Sequence, residues 1–223
     1  MMDIMQAVRE RHSVRAYLDK PLRKEDVAAL EEAIGQCNGE SGLSMQLVAN
    51  EPKAFGGMMA KYGKFSGVRN YIAVVGDKND ADLEEKSGYY GERLVLLSQQ
   101  LGLNTCWVGM TFKKVPDAYC VNPGQKLVIV VSLGFGETQG KGHPVKEPEE
   151  VSPDVAQAPD WFRRGVECAL LAPTAMNQQK FTLRYEHGRV AAKAGRGFFS
   201  KVDLGIVKYH FELGARPENV SWA

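Results

Sequence analysis

The chain of 223 residues is 44% hydrophobic and 25% charged, enough to bury a core without disulfide or metal staples. Its 28 basic and 27 acidic residues leave a net charge of +1, which argues against a dedicated nucleic-acid or membrane-surface binder. The cysteines (Cys37, Cys106, Cys120, Cys168) form no Cys-x-x-Cys pair and the four histidines lack ligand spacing, so buried free thiols and no metal site are expected. Charges interrupt the segment from Met1 to His12, and no stretch approaches the roughly 18 to 20 apolar residues of a membrane helix. A cytoplasmic protein follows as the expectation.

Asp3 can cap a short helix with Ile4, Met5 and Val8 as its apolar stripe. Pro21 opens a second helical segment carrying Val27, Leu30, Ala33 and Ile34, ended by a loop at Asn38-Gly39-Glu40-Ser41-Gly42. Met45 to Ala49 and Asn70 to Gly76 read as strands. From about Asp82 to Leu101, Tyr90, Leu94, Leu97 and Leu101 recur at helical spacing before Gly102. Thr105 to Val108 is a short strand, and Leu127 to Leu133 is apolar on both faces, as a central strand is. Residues 138–160, with four prolines and many charges, read as an arm over the surface. Helices near 160–171 and 203–213 flank a strand at Phe181 to Glu186. The expected class is α+β, an α/β three-layer sandwich with a central mixed sheet of about five strands. One domain over 1–223 is expected, with a faint internal echo: Glu32-Ala33-Ile34 leads through Asn38 to a strand, and Glu167-Cys168-Ala169 does so through Asn177. Gly91 opens a helix ending at Gly102 and Gly205 one ending at Gly214, so two degenerate half-repeats are one reading.

Gly134-Phe135-Gly136-Glu137-Thr138-Gln139-Gly140 has the wrong spacing for a dinucleotide loop, and His143-Pro144 cannot open the helix such a loop needs. Neither a Walker loop nor a G-x-S-x-G elbow is present. In Arg11-His12-Ser13-Val14-Arg15-Ala16-Tyr17, two guanidinium forks bracket a serine, a set suited to phosphate oxygens. A solvated charged helix end explains the same residues. Ala172-Pro173-Thr174-Ala175-Met176-Asn177-Gln178-Gln179 is small and amide-rich, and on its residues alone is a turn with a capping Asn.

Together these segments resemble the nitroreductase family of FMN enzymes. RHSVRAY is similar to that family's R-[RH]-S-x-R-x-[FY] motif, and APTAMNQQ to its A-P-S-x-x-N-x-Q flavin loop. GERLVLLSQQLGLNTCWVG (91–109) resembles the central helix and the strand toward the flavin, and residues 127–151 the closing strand and basic phosphate arm. The resemblance implies FMN as cofactor, NADH or NADPH as donor, a small acceptor such as a nitroaromatic or quinone in a ping-pong cycle, and a homodimer with the flavin in its interface. Arg11, His12, Ser13 and Arg15, with Lys141 and His143, would then serve the phosphate, Arg15 or Arg11 alternatively the N1–O2 edge. Pro173, Thr174, Ala175, Asn177 and Gln178 would meet the ring, and backbone at Val108 and Gly109 would approach N5. Gly109 reads equally as a strand-end turn, and His143 as an exposed loop residue. No protein nucleophile is required, because the flavin carries the redox chemistry. Ordinary members place the Asn loop after the second helix, where Asn38 stands here, so the chain resembles a rearranged branch. Phe55 to Phe65 is the candidate lid. A flavin-storage module without turnover, or oxygen-dependent flavin breakdown or reductive dehalogenation, fits the same residues.

Overall fold

A computed structural model describes residues 2–223. Asp3 caps α1 (Ile4–Glu10) by accepting from the amides of Met5 and Gln6. The second helix, α2 (Lys24–Ser41), begins later than Pro21 and runs through Asn38, because Gly42, at φ 75°, is the first residue to take the left-handed conformation that ends a helix. The next elements are β1 (Gln46–Val48), a one-turn helix α3 (Met58–Tyr62) and β2 (Asn70–Asp77). Then come α4 (Leu83–Gln100), β3 (Asn104–Val108) and β4 (Gln125–Gly134). After a short α5 (Pro148–Val151), α6 (Asp160–Leu170) leads to a hairpin of β5 (Phe181–Glu186) and β6 (Arg189–Ala194), and α7 (Ser200–Ala215) closes the fold.

The central sheet has the order β1-β2-β4-β3, and each neighbouring pair is antiparallel. It therefore differs from the expected mixed sheet of about five strands. The expected fifth strand, β5, pairs instead with β6 across His187-Gly188, whose φ values of 52° and 84° suit a two-residue hairpin turn.

Alternation along β2 sends Ile72 and Val74 into one core, and Tyr71, Ala73 and Val75 into another. The first core is filled by α4, α6 and α7, where Phe162 and Phe211 are fully buried with ring centroids 5.3 Å apart. The second is closed by Phe55, Phe65 and Tyr119 from the loops and α3. A helical layer, a sheet and a thinner loop layer result. The arm at 138–160 departs from a purely surface course, since Val151, Val155 and Ala158 are buried in the larger core. Cys37, Cys106 and Cys168 are buried free thiols, whereas Cys120 is exposed. Among the described residues, no helix is long and apolar enough to cross a membrane.

Candidate functional site

The Arg11–Tyr17 segment runs extended beside the sheet edge. The amide of Val14 donates to the Thr105 carbonyl at 3.0 Å, and that of Leu18 to Phe135 at 2.8 Å. Period-two alternation buries Val14 and leaves Ser13 and Arg15 exposed. Tyr17 fixes the end of the segment, its hydroxyl donating to the Val14 carbonyl at 2.7 Å and lying 2.8 Å from Ser132 Oγ.

Two adjoining cavities open along this segment, and Ser13, Arg15, Pro173, Thr174 and Met176 wall both. One, of about 480 Å³, is basic: Arg11, His12, Arg15, Lys141 and His143 line it, together with Asn177, and no carboxylate does. Gly140, at φ 76°, brings the arm against His12, whose Cβ a side chain there would strike. Arg11 is almost fully buried, and its Nε has no hydrogen-bond partner. Burial holds its pKa below the ordinary value, opposed by Glu92. His12 and His143 are both held below the usual histidine value, first by burial and then by the charge of Arg11. His143 Nε2 donates to the Leu170 carbonyl at 3.2 Å, which fixes its tautomer.

The second cavity, of about 300 Å³, is mostly apolar. Trp107, Val108, Gly109 and Met110 come from the end of β3, Phe65 from the loop after α3, Ala175 from the loop after α6, and Phe198, Phe199, Val202 and Ile206 from the start of α7. Gly109 is needed because a Cβ there would run into the Phe199 ring. An aromatic side chain of the protein therefore lies against that glycine.

Among the described residues, Asp203 is the only carboxylate lining either cavity, and it anchors the 173–179 loop. Its oxygens accept from the Ala175 amide at 2.9 Å and from Gln178 Nε2 at 2.7 Å. Burial pushes the Asp203 carboxyl up to about 6, against those two hydrogen bonds. Gln178 also donates to the Phe198 carbonyl at 2.8 Å, so it ties this loop to the start of α7 and lines neither main cavity. Asn177 Nδ2 donates to the Pro144 carbonyl at 2.9 Å, and Gln179 Nε2 reaches that same carbonyl. Met176, Asn177 and Gln179 all have positive φ, a concentration of backbone strain at one loop. Asn38 is far simpler: it exchanges two hydrogen bonds with the backbone of Met45, joining α2 to β1.

Behind the wall, Glu92 is fully buried on α4. It accepts from Trp107 Nε1 at 2.9 Å, lies 2.8 Å from His210 Nε2, and ion-pairs with Arg11 Nε at 3.8 Å. One carboxylate thus braces Arg11 of the basic cavity and Trp107 of the apolar one.

Twelve of the thirteen residues expected from the sequence line one or other cavity, and Gln178 is the exception. Sequence reasoning missed Asp203, Glu92 and the Phe198-Phe199 pair. Their available signals were an acid in the first turn of α7, an acid within an apolar helix face, and a Gly195-Arg196-Gly197 approach to two aromatics. Among the described residues no group of three or more His, Cys, Asp or Glu is placed to hold a metal ion.

A helix-flanked antiparallel sheet with a two-part cavity at its edge defines the class. The family described as "Putative TM nitroreductase" matches residues 3–215, and the chain belongs to it. Similar solved folds include a putative nitroreductase of Thermotoga maritima MSB8, at 22% identity and TM-score 0.69, covering 96% of this chain and 84% of that one. A putative nitroreductase in complex with FMN from Desulfovibrio desulfuricans is 18% identical with TM-score 0.53, over 67% and 95% of the two chains. Nitroreductase A of Vibrio parahaemolyticus is 16% identical with TM-score 0.52, over 68% and 74%. No curated protein matches the sequence significantly.

Proposed function

We propose that the paired cavities hold FMN, and that the protein is an oxidoreductase passing electrons from NADH or NADPH to a small nitroaromatic or quinone acceptor. The observation that carries this reading is the basic cavity itself. Three permanent cations and two histidines surround it without a single carboxylate, and an apolar slot adjoins it through shared walls. A phosphate at one end and a flat apolar ring at the other match that division. Arg11 belongs to the same donor set, its Nε held 3.8 Å from buried Glu92 while the residue lines the cavity.

Arg11, Ser13, Lys141 and His12 bind the phosphate in this reading. Arg15 walls both compartments, so its charge can serve the phosphate or stabilise negative charge developing on the ring's N1–O2 edge. Pro173, Thr174 and Ala175 present a small-residue wall to the ring, and Asn177 holds that wall to the arm. Phe65, Phe199 and Val108 exclude water, while Phe199 screens the Gly109 backbone from one side. FMN held there would supply the redox chemistry, two-electron exchange between a nicotinamide and the acceptor. Burial holds the Cys106 thiol above its ordinary pKa, so no thiolate competes as nucleophile.

The homodimer implied by the resemblance is a separate question, since one chain supplies every wall described. Light scattering of the FMN-loaded protein decides it: twice the chain mass supports a dimer, and a single chain mass refutes it. Function is tested by anaerobic stopped-flow. Bleaching of the loaded protein by NADH or NADPH, followed by reoxidation with a quinone, is expected. Inertness to both nicotinamides would favour a storage module instead.

A further inference from the structure

Beside the mouth of the apolar cavity, two stretches of chain pack into one surface. Residues 52–68 and 104–116 contain no Asp or Glu. They are joined by the Lys113 amide donating to the Ala54 carbonyl at 2.8 Å, and by Phe55 stacked on Phe112 at 6.2 Å. Gly63 and Thr111 abut closely and both line the cavity.

The surface has an apolar centre and a basic surround. Met58, Met59, Tyr62 and Met110 are 86%, 52%, 83% and 61% exposed, four of the largest unburied apolar side chains in the molecule. Lys53, Lys61, Lys64, Lys113 and Lys114 are exposed around them, and none of the five takes part in an ion pair among the described residues. Of the two carboxylates that flank these stretches, Glu51 is turned inward and accepts from the amides of Lys53 and Ala54, while Asp117 is exposed just beyond Pro116. Five unneutralised lysines in a chain of net charge +1 are a local excess. Exposed methionines suit a surface that repacks against varied partners.

We infer that this face docks an acidic electron-carrier protein, which delivers electrons to the cofactor of the adjoining cavity. Charge complementarity selects the partner: a negative surface is drawn to the lysine surround, and the Met-Tyr centre supplies the desolvated contact. A second copy of this chain, meeting the same patch by two-fold symmetry, would oppose lysine to lysine and is disfavoured. The location beside the cavity mouth gives the docking a redox purpose. Each carrier is oxidised by one electron, so two dockings, with two protons from solvent, deliver what a nicotinamide delivers as one hydride and a proton.

This inference rests on the flavin reading, and the test separates the two. The probe is a small acidic [2Fe–2S] ferredoxin. Its association in the oxidised form is followed by titration calorimetry at about 20 mM and about 300 mM salt. Its reduced form is mixed anaerobically with the FMN-loaded protein. Association at low salt is expected to weaken at least about tenfold at high salt. The triple variant K53E/K113E/K114E should weaken it by a similar factor at low salt, and slow ferredoxin-driven bleaching, while FMN affinity and the NADH rate stay unchanged. No association at low salt, association indifferent to salt and to the triple variant, or an equal loss of the NADH rate would overturn the docking proposal. Failure to bind FMN would instead overturn the flavin reading, because association of the oxidised carrier is measured without it.

Discussion

Asp203 holds the 173–179 loop through two hydrogen bonds while buried in the cavity wall, and its titration gives a prediction of definite sign. Its folded-state value, about 6, lies above its ordinary 3.8, so the folded protein binds the proton more tightly than the unfolded chain. The resulting stabilisation is fully present below about 4 and is lost as pH rises through about 6, an effect on the order of 3 kcal/mol. Denaturant midpoints should therefore fall between pH 4 and 6 by more in the wild type than in Asp203→Asn. Parallel curves for the two proteins would show that burial does not perturb this carboxyl. Two asparagines separate site from scaffold in the same way. Asn38→Leu removes both bonds to Met45 and should cost about 1 to 3 kcal/mol of stability with FMN retention nearly intact. Asn177→Leu frees the loop from the arm and should weaken FMN retention markedly. The opposite pattern of FMN loss would place the flavin loop at Asn38. Arg15 forms neither an ion pair nor a side-chain hydrogen bond among the described residues, and its guanidinium lies 5.9 Å from the Phe65 centroid. Arg15→Ala should lose roughly 1.5 to 3 kcal/mol of FMN binding, about 10- to 150-fold in affinity, with the fold intact. Unchanged affinity and reduction kinetics would assign Arg15 to solvent.

Among the elements, the crossing of α4 and α7 is set by two glycines in reciprocal positions. A Cβ on Gly88 would meet the Val202 carbonyl, and one on Gly205 the Glu85 carbonyl, so each glycine packs three residues from the other. Backbones can approach this closely only without side chains. Gly205→Ala should therefore destabilise by roughly 1 to 3 kcal/mol of overpacking, offset by up to about 1 kcal/mol of helix propensity. A raised unfolding midpoint in that variant would contradict this packing. The pattern also shows why the sequence misled at this point. Gly91 and Gly205 suggest helix starts, yet both lie inside helices, serving Trp107 and Glu85 respectively. Strongly periodic elements such as α4 were legible almost to the residue, because burial of one face dictates the pattern. The strand β6 (RVAAKA) was not, since alanines and charges carry little strand signal and it is fixed by pairing with β5 on one edge and with the segment at Trp222 on the other.

Taken whole, the molecule builds its cavities from distant parts of the chain: 11–15, 63–65, 106–111, Ile129, 140–143, 173–177 and 198–206. The segments rich in Arg, His and amide residues were readable, because phosphate and a polar ring edge demand those side chains whatever the fold. The aromatic wall at Phe198 and Phe199, the brace at Glu92 and the anchor at Asp203 were hidden. Their roles depend on which helices cross, and local sequence does not state that. The central claim is that one basic and one apolar compartment, sharing walls, hold a single FMN. Titration of the purified chain with FMN, followed by the change in flavin fluorescence and competed with inorganic phosphate, tests it directly. The account predicts saturation near one FMN per chain, a yellow complex, little uptake of FAD, and weakening by phosphate. A chain that stays colourless and leaves flavin fluorescence unchanged would contradict it.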